Sequence, residues 1–267
     1  MKIIVTGKGG VGKTSITAVL SHVLSSNGYS VLAIDTDSVP NLVQSLGVPY
    51  DKASKIVPLT KNDKLVEERT GARPGESWGV LFSLTPKVDD LVDNYGITIY
   101  DNLRALVIGS IDSSKEGCLC PAIALAKALL RYLLLKRNEV VIVDSEAGAE
   151  VFGRGLAEKF DLMLGVCEPT LKSMEIAKKL IRMAKELDIK KNLLVINKVT
   201  DVSDVLSLYK RVFNDESVQY HIVRLDKQLY DLEVKGLGVD KLKPDSIIFQ
   251  DVTGLFKTIS YLQKLKV

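Results

Sequence analysis

Gly7-Lys8-Gly9-Gly10-Val11-Gly12-Lys13-Thr14 lies between an apolar run, Ile3-Ile4-Val5, and a helical pattern carrying Ile16, Val19, Leu20, Val23 and Leu24. Strand, glycine-rich turn and helix, in that order, are what give G-x-x-x-x-G-K-[ST] its physical meaning as a P-loop. Glycines let backbone N–H groups converge on phosphate oxygens where a Cβ would clash. The helix N-terminus beyond them adds unpaired donors and a favourable dipole. Gly9, Gly10, Val11, Gly12, Lys13, Thr14 and Ser15 are therefore expected to bind nucleotide. Lys13 would bridge the β- and γ-phosphates, and the Thr14 hydroxyl would ligate Mg²⁺.

The rest of the chain supplies a sheet for this loop to sit on. Apolar runs at Ser30 to Ile34, Leu103 to Ile108, Glu139 to Val143, Leu162 to Val166, Leu193 to Ile196 and Gln219 to Val223 alternate with helical patterns. That alternation predicts an α/β fold of three layers, a mostly parallel central sheet covered by helices on both faces. We expect a single P-loop ATPase domain over 1–267, with an irregular excursion at about 51–111, because no linker, repeat or low-complexity segment divides the chain. At 267 residues, 46% hydrophobic and 26% charged, the chain is long enough and apolar enough for a large core. A net charge of +3 does not ask for nucleic acid. No run approaches the roughly 18 apolar residues of a membrane span. A cytoplasmic protein without stable membrane association is the expectation. The last helical pattern, with Leu255, Phe256, Ile259, Leu262 and Leu265, is read as packed on the sheet.

Carboxylates stand where parallel strands end, the edge that faces a nucleotide. Asp144 follows four apolar residues, the Walker B position, and should hold the Mg²⁺ shell. Asp35 ends the second strand and would support Mg²⁺-bound water or the loop. Asp37 follows it, with a helix cap as its structural alternative. Asn197-Lys198-Val199-Thr200-Asp201 places its acid one residue too late for the guanine-reading N-K-x-D pattern, so adenine is expected, with Asn197 and Lys198 at the base. The three cysteines include a close pair, Cys118 and Cys120, just before a helix that starts near Pro121. The field at a helix N-terminus favours the metal-binding thiolate.

Lys8, in K-G-G-x-G-K-T, resembles the deviant P-loop of the MinD/nitrogenase-iron-protein class. In that class the extra lysine reaches the phosphates of a partner's nucleotide, and Asp37 stands where a switch I aspartate orients the attacking water. Such trans groups are worth roughly 10³–10⁵ in rate. Asp144-Ser145-Glu146-Ala147-Gly148, Gly153-Arg154-Gly155, Gly117-Cys118-Leu119-Cys120-Pro121 and Val66 to Gly71 narrow the likeness to the CooC family, accessory ATPases of carbon monoxide dehydrogenase maturation. The resemblance departs in Val223-Arg224-Leu225-Asp226, which lacks the family's proline, and in Asp37-Ser38-Val39-Pro40. It implies ATP/ADP and Mg²⁺, an ATP-driven homodimer, and nickel delivery to carbon monoxide dehydrogenase as client. Ni²⁺ or Zn²⁺ wants about four donors. A two-fold axis would double the thiolates of Cys118 and Cys120, giving one metal per dimer. The competing expectations are a MinD/ParA-type positioning switch and a nitrogenase-iron-protein-like reductase. The reductase needs distant cysteines on a cluster.

Overall fold

The computed structural model describes residues 1–37, 39–75, 81–110, 120–133, 138–146, 160–214 and 216–263, with only the backbone of Cys120. Eight strands form one sheet in the order β3-β4-β2-β5-β1-β6-β7-β8. They are β1 Lys2–Gly7, β2 Ser30–Asp35, β3 Ile97–Tyr100, β4 Leu103–Val107, β5 Glu139–Asp144, β6 Leu162–Cys167, β7 Asn192–Val199 and β8 Tyr220–Arg224. All pair in parallel except β3, which runs antiparallel to β4 at one edge.

The central strands are apolar on both sides because both sheet faces are covered. Ile3 and Val5 join one core, while Ile4 between them joins the other. Val140 and Ile142 divide from Val141 and Val143 in the same way. The first face carries α1, Lys13–Ser26, and the last helix, α10, Ile247–Gln263. The second carries α4, Asp63–Thr70, α6, Cys120–Tyr132, α7, Leu171–Glu186, and α8, Val202–Val212. The last helix buries Leu255, Phe256 and Ile259 against the sheet, as its pattern predicts, while Leu265 is outside the described residues. Among the described residues no helix is long and apolar enough to cross a membrane.

The excursion is more ordered than its sequence suggests. Short helices α2, Leu42–Ser45, α3, Tyr50–Ala53, and α5, Leu91–Tyr95, flank α4, and β3 closes the edge. On the other side of the sheet, β6 is wholly buried and ends in the free thiol of Cys167. After β8, Asp226 sits at two helix starts. Its Oδ1 accepts from the N–H groups of Gln228 and Leu229 at the head of α9, Lys227–Val234. Its Oδ2 accepts from the Ile248 N–H of α10 at 2.8 Å. One buried carboxylate thus satisfies donors that each helix would otherwise leave unpaired. α9 buries no side chain fully, so half-buried Leu229 against the first-face core, this pin and the Glu233–Ser15 bond hold it beside the start of α1.

Candidate functional site

The loop leaves β1 at Gly7 and enters α1 at Lys13. Gly12 has φ 92°, and a Cβ there would lie 2.4 Å from the Asn197 carboxamide nitrogen. Conformation and space both demand glycine. Val11 is buried beneath the loop, and Lys8 is exposed on its outer surface. Lys13 is 8% exposed, with Nζ 3.3 Å from the Lys8 carbonyl. Burial pulls its pKa down, while Asp144, Asp37 and Glu146 pull it back up.

Acids gather on the other side of the lysine. Asp35 and Asp144 are register partners on neighbouring strands, and both are buried. Burial pushes the Asp144 carboxyl up to about 7, helped by Asp35 and opposed by the Thr14 hydroxyl. Thr14 donates to Asp144 Oδ2 at 2.6 Å. Asp144 Oδ1 is buried with no hydrogen-bond partner. A buried carboxylate oxygen left so is costly, and a hard divalent cation beside the Thr14 hydroxyl would satisfy it. These two side chains therefore fit Mg²⁺. Asp35, raised to about 6 by burial, accepts from the N–H groups of Asp37, Asn41 and Leu42 at 2.9–3.0 Å. Of the two roles expected of it, organising the loop is the one these bonds perform. Asp37 accepts from the Val39 N–H within that loop and still reaches the cleft.

The P-loop from Gly9, with Lys13, Thr14 and Ser15, opens on a cavity of about 450 Å³ that Asp37, Glu146, Lys198 and Glu233 also line. Glu233 was not singled out as a site residue by the sequence, and Glu146 entered it only within the Asp144-Ser145-Glu146-Ala147-Gly148 stretch. Glu146 accepts from the Ser110 hydroxyl at 2.8 Å, and its place in the turn after Asp144 was its signal. Glu233 accepts from the Ser15 hydroxyl at 2.8 Å across 218 positions, and no local pattern announces that.

Asn197 and Lys198 are brought to the loop itself. Asn197, 4% exposed, donates through Nδ2 to the Val11 carbonyl at 2.8 Å. Lys198 donates to the Gly10 carbonyl at 2.6 Å and to Glu168 Oε1 at 2.8 Å. Asp201 is a helix cap, accepting from the Ser203 N–H at the start of α8. Cys118 and the side chain of Cys120 lie outside the described residues, as do Ala147, Gly148 and Gly153-Arg154-Gly155.

The chain as a whole is similar to known proteins. Residues 2–243 match the family model described as the CobQ/CobB/MinD/ParA nucleotide binding domain. The chain is 38% identical over 244 residues to the carbon monoxide dehydrogenase accessory protein CooC of Rhodospirillum rubrum, covering 91% of each. An uncharacterized ATP-binding protein of Methanocaldococcus jannaschii is 41% identical over 268 residues, with 100% of this chain and 99% of that one covered. Among solved structures, the septum site-determining protein MinD of Pyrococcus horikoshii, complexed with Mg-ADP, superposes with a TM-score of 0.69 at 19% identity, over 100% of this chain and 98% of that one. At that identity the likeness is one of fold.

Proposed function

Because this chain belongs to the CooC family of MinD/ParA-class nucleotide-binding ATPases, we propose that its ATP cycle drives homodimerisation and hands nickel to a carbon monoxide dehydrogenase. The observation that carries the proposal is similarity over 91% of both chains to a named CooC, joined to a P-loop whose lysine and threonine line one cleft, with the Walker B acid bonded to that threonine.

Mg²⁺ would be held by Thr14 and Asp144, and would neutralise charge on the β- and γ-phosphates when bound. Lys13 would balance the same phosphates from the loop side. Asp37 would align the attacking water, and its carboxylate borders the cavity where that water would stand. Lys8 would serve a partner's nucleotide, a reading supported by its exposure outside its own cleft. Asn197 contacts adenine in this reading through its carboxamide oxygen, since its nitrogen is engaged by Val11. The cargo ion, Ni²⁺ or Zn²⁺, sits between two copies of Cys118 and Cys120, at one per dimer.

Metal analysis of apo, ADP-bound and ATP-bound protein, with oligomeric state recorded in parallel, tests the whole scheme. Cys118→Ala or Cys120→Ala is expected to lose the metal and weaken the dimer while leaving nucleotide affinity within about threefold. One metal per monomer, unchanged in either variant, defeats the shared site. Lys8→Ala is expected to bind ADP normally and to sediment as a monomer with a non-hydrolysable ATP analogue. A dimer in that experiment removes Lys8 from the trans role.

A further inference from the structure

Asn197 and Lys198 are neighbours in β7, and side chains of neighbouring strand residues point to opposite faces. Here both reach the same loop. The backbone shows how. Lys198 has φ 59°, in the left-handed region where a lysine is uncommon. The pairing of β7 with β8 shifts register between Ile196 and Val199 at the same point. A bulge has re-aimed one side chain without ending the strand, a device found beside functional sites.

The two side chains take successive loop carbonyls, Gly10 by Lys198 and Val11 by Asn197. In a trans peptide the C=O of one residue and the N–H of the next point in opposite directions. Drawing the Gly10 carbonyl toward β7 turns the Val11 N–H away from it. Drawing the Val11 carbonyl the same way turns the Gly12 N–H. A flipped peptide at either place would present oxygen, not N–H, to an anion. Glycine at positions 10 and 12 makes such flips cheap, so the orientation needs an outside hold. Glu168 completes it by fixing the Lys198 ammonium from the far side at 2.8 Å.

We propose that the bulge at Lys198, with Asn197 and the Glu168–Lys198 ion pair, sets the direction of the P-loop N–H groups, so that Lys198 and Glu168 are positioning residues for the phosphate chain. The inference rests on the nucleotide reading of the cleft and adds how its donors are oriented. It separates loop positioning from base recognition, because a positioning group serves any polyphosphate.

The test is calorimetric binding of ATP, GTP and inorganic tripolyphosphate to the full chain and to Lys198→Met, Lys198→Gly and Glu168→Gln. Lys198→Met is expected to weaken all three ligands by a common factor of about 10 or more, the worth of a charge-assisted hydrogen bond. Glu168→Gln should follow in the same direction by about threefold. Lys198→Gly removes the hook and the left-handed strain together. It should bind as poorly as Lys198→Met yet melt no lower than wild type, a split that a purely structural lysine would not give. Unchanged tripolyphosphate affinity overturns the proposal, whether ATP binding is intact or its preference over GTP is altered. Wild-type protein that binds neither ATP nor tripolyphosphate would instead bring down the nucleotide reading beneath it.

Discussion

On the β1–β7 side of the cleft, an ammonium and a carboxamide hold backbone carbonyls and leave N–H groups for the ligand. On the β2–β5 side, Asp37, Asp144 and Glu146 act on Lys13, and Asp35 acts in turn on Asp144. The first side is finished before ligand arrives, its bonds made and its strain already taken up at Lys198. The second is electrostatically incomplete, with one Asp144 oxygen unpartnered and two carboxyls raised by burial. Phosphate recognition can therefore be rigid, while the end that meets the γ-phosphate responds to cation and charge.

The hardest blow to this division is Lys13→Ala, which removes the cation standing between the two sides. We expect nucleotide affinity to fall on the order of 1,000-fold by calorimetry. A fall under about tenfold would mean that the loop N–H groups carry binding alone. Next comes Asp37→Ala. Binding should stay within about threefold while turnover drops about 100-fold, since the side chain aligns water and holds no phosphate. Normal hydrolysis by that variant would pass the role to another acid lining the cleft, Glu146 or Glu233.

Asp144→Asn probes the acidic side without ligand. The carboxyl titrates near 7 in the fold and at the ordinary 3.8 when unfolded. Between those values the unfolded chain binds fewer protons, so wild-type stability falls as pH rises from about 4 to about 7. Neutralising the side chain should remove its share of that slope and leave the smaller share of Asp35, which is raised to about 6. At pH 8 the variant should melt about 5 °C higher than wild type without Mg²⁺, and at pH 4 the two should coincide. Equal melting at both values would show that the acidic side carries no such strain.

The smallest effect is expected at Glu233, an acid that lines the cleft and accepts from Ser15. Glu233→Gln keeps a hydrogen-bond acceptor for Ser15 and deletes a negative charge. Tripolyphosphate affinity should rise about twofold at low salt and be unchanged at high salt. A fall would show that the carboxylate belongs to the phosphate-binding set.

The two sides also differ in how far they could be read in advance. Strand, loop, α1 and the acid ending β5 are local patterns of spacing and hydrophobicity, and each stands where its residues predict. The last helix is likewise the packed element its apolar face implied. Asn197 and Lys198 are legible as candidate base contacts but not as hooks on the loop, because strand alternation sends neighbours to opposite faces and only the left-handed turn at Lys198 defeats it. Glu233 reaches Ser15 because Asp226 pins α9 beside the start of α1, a tertiary fact with no period of its own. The edge strand β3 escaped notice for a different reason. Ile97-Thr98-Ile99-Tyr100 is short, and its antiparallel return to β4 breaks the strand–helix alternation that revealed the others.

Cys167, at the end of β6, has a practical consequence. Burial, aided by Glu168, pushes its thiol up to about 12, and none of its surface is open to solvent. Alkylating reagents attack the thiolate, so this sulfur is silent in the native protein at neutral pH. Any native-state labelling then reports on Cys118 and Cys120 alone, and the further adduct gained on denaturation is a built-in standard for the count. Protection of the close pair by ATP or by metal can be followed in the wild-type chain, with no cysteine removed.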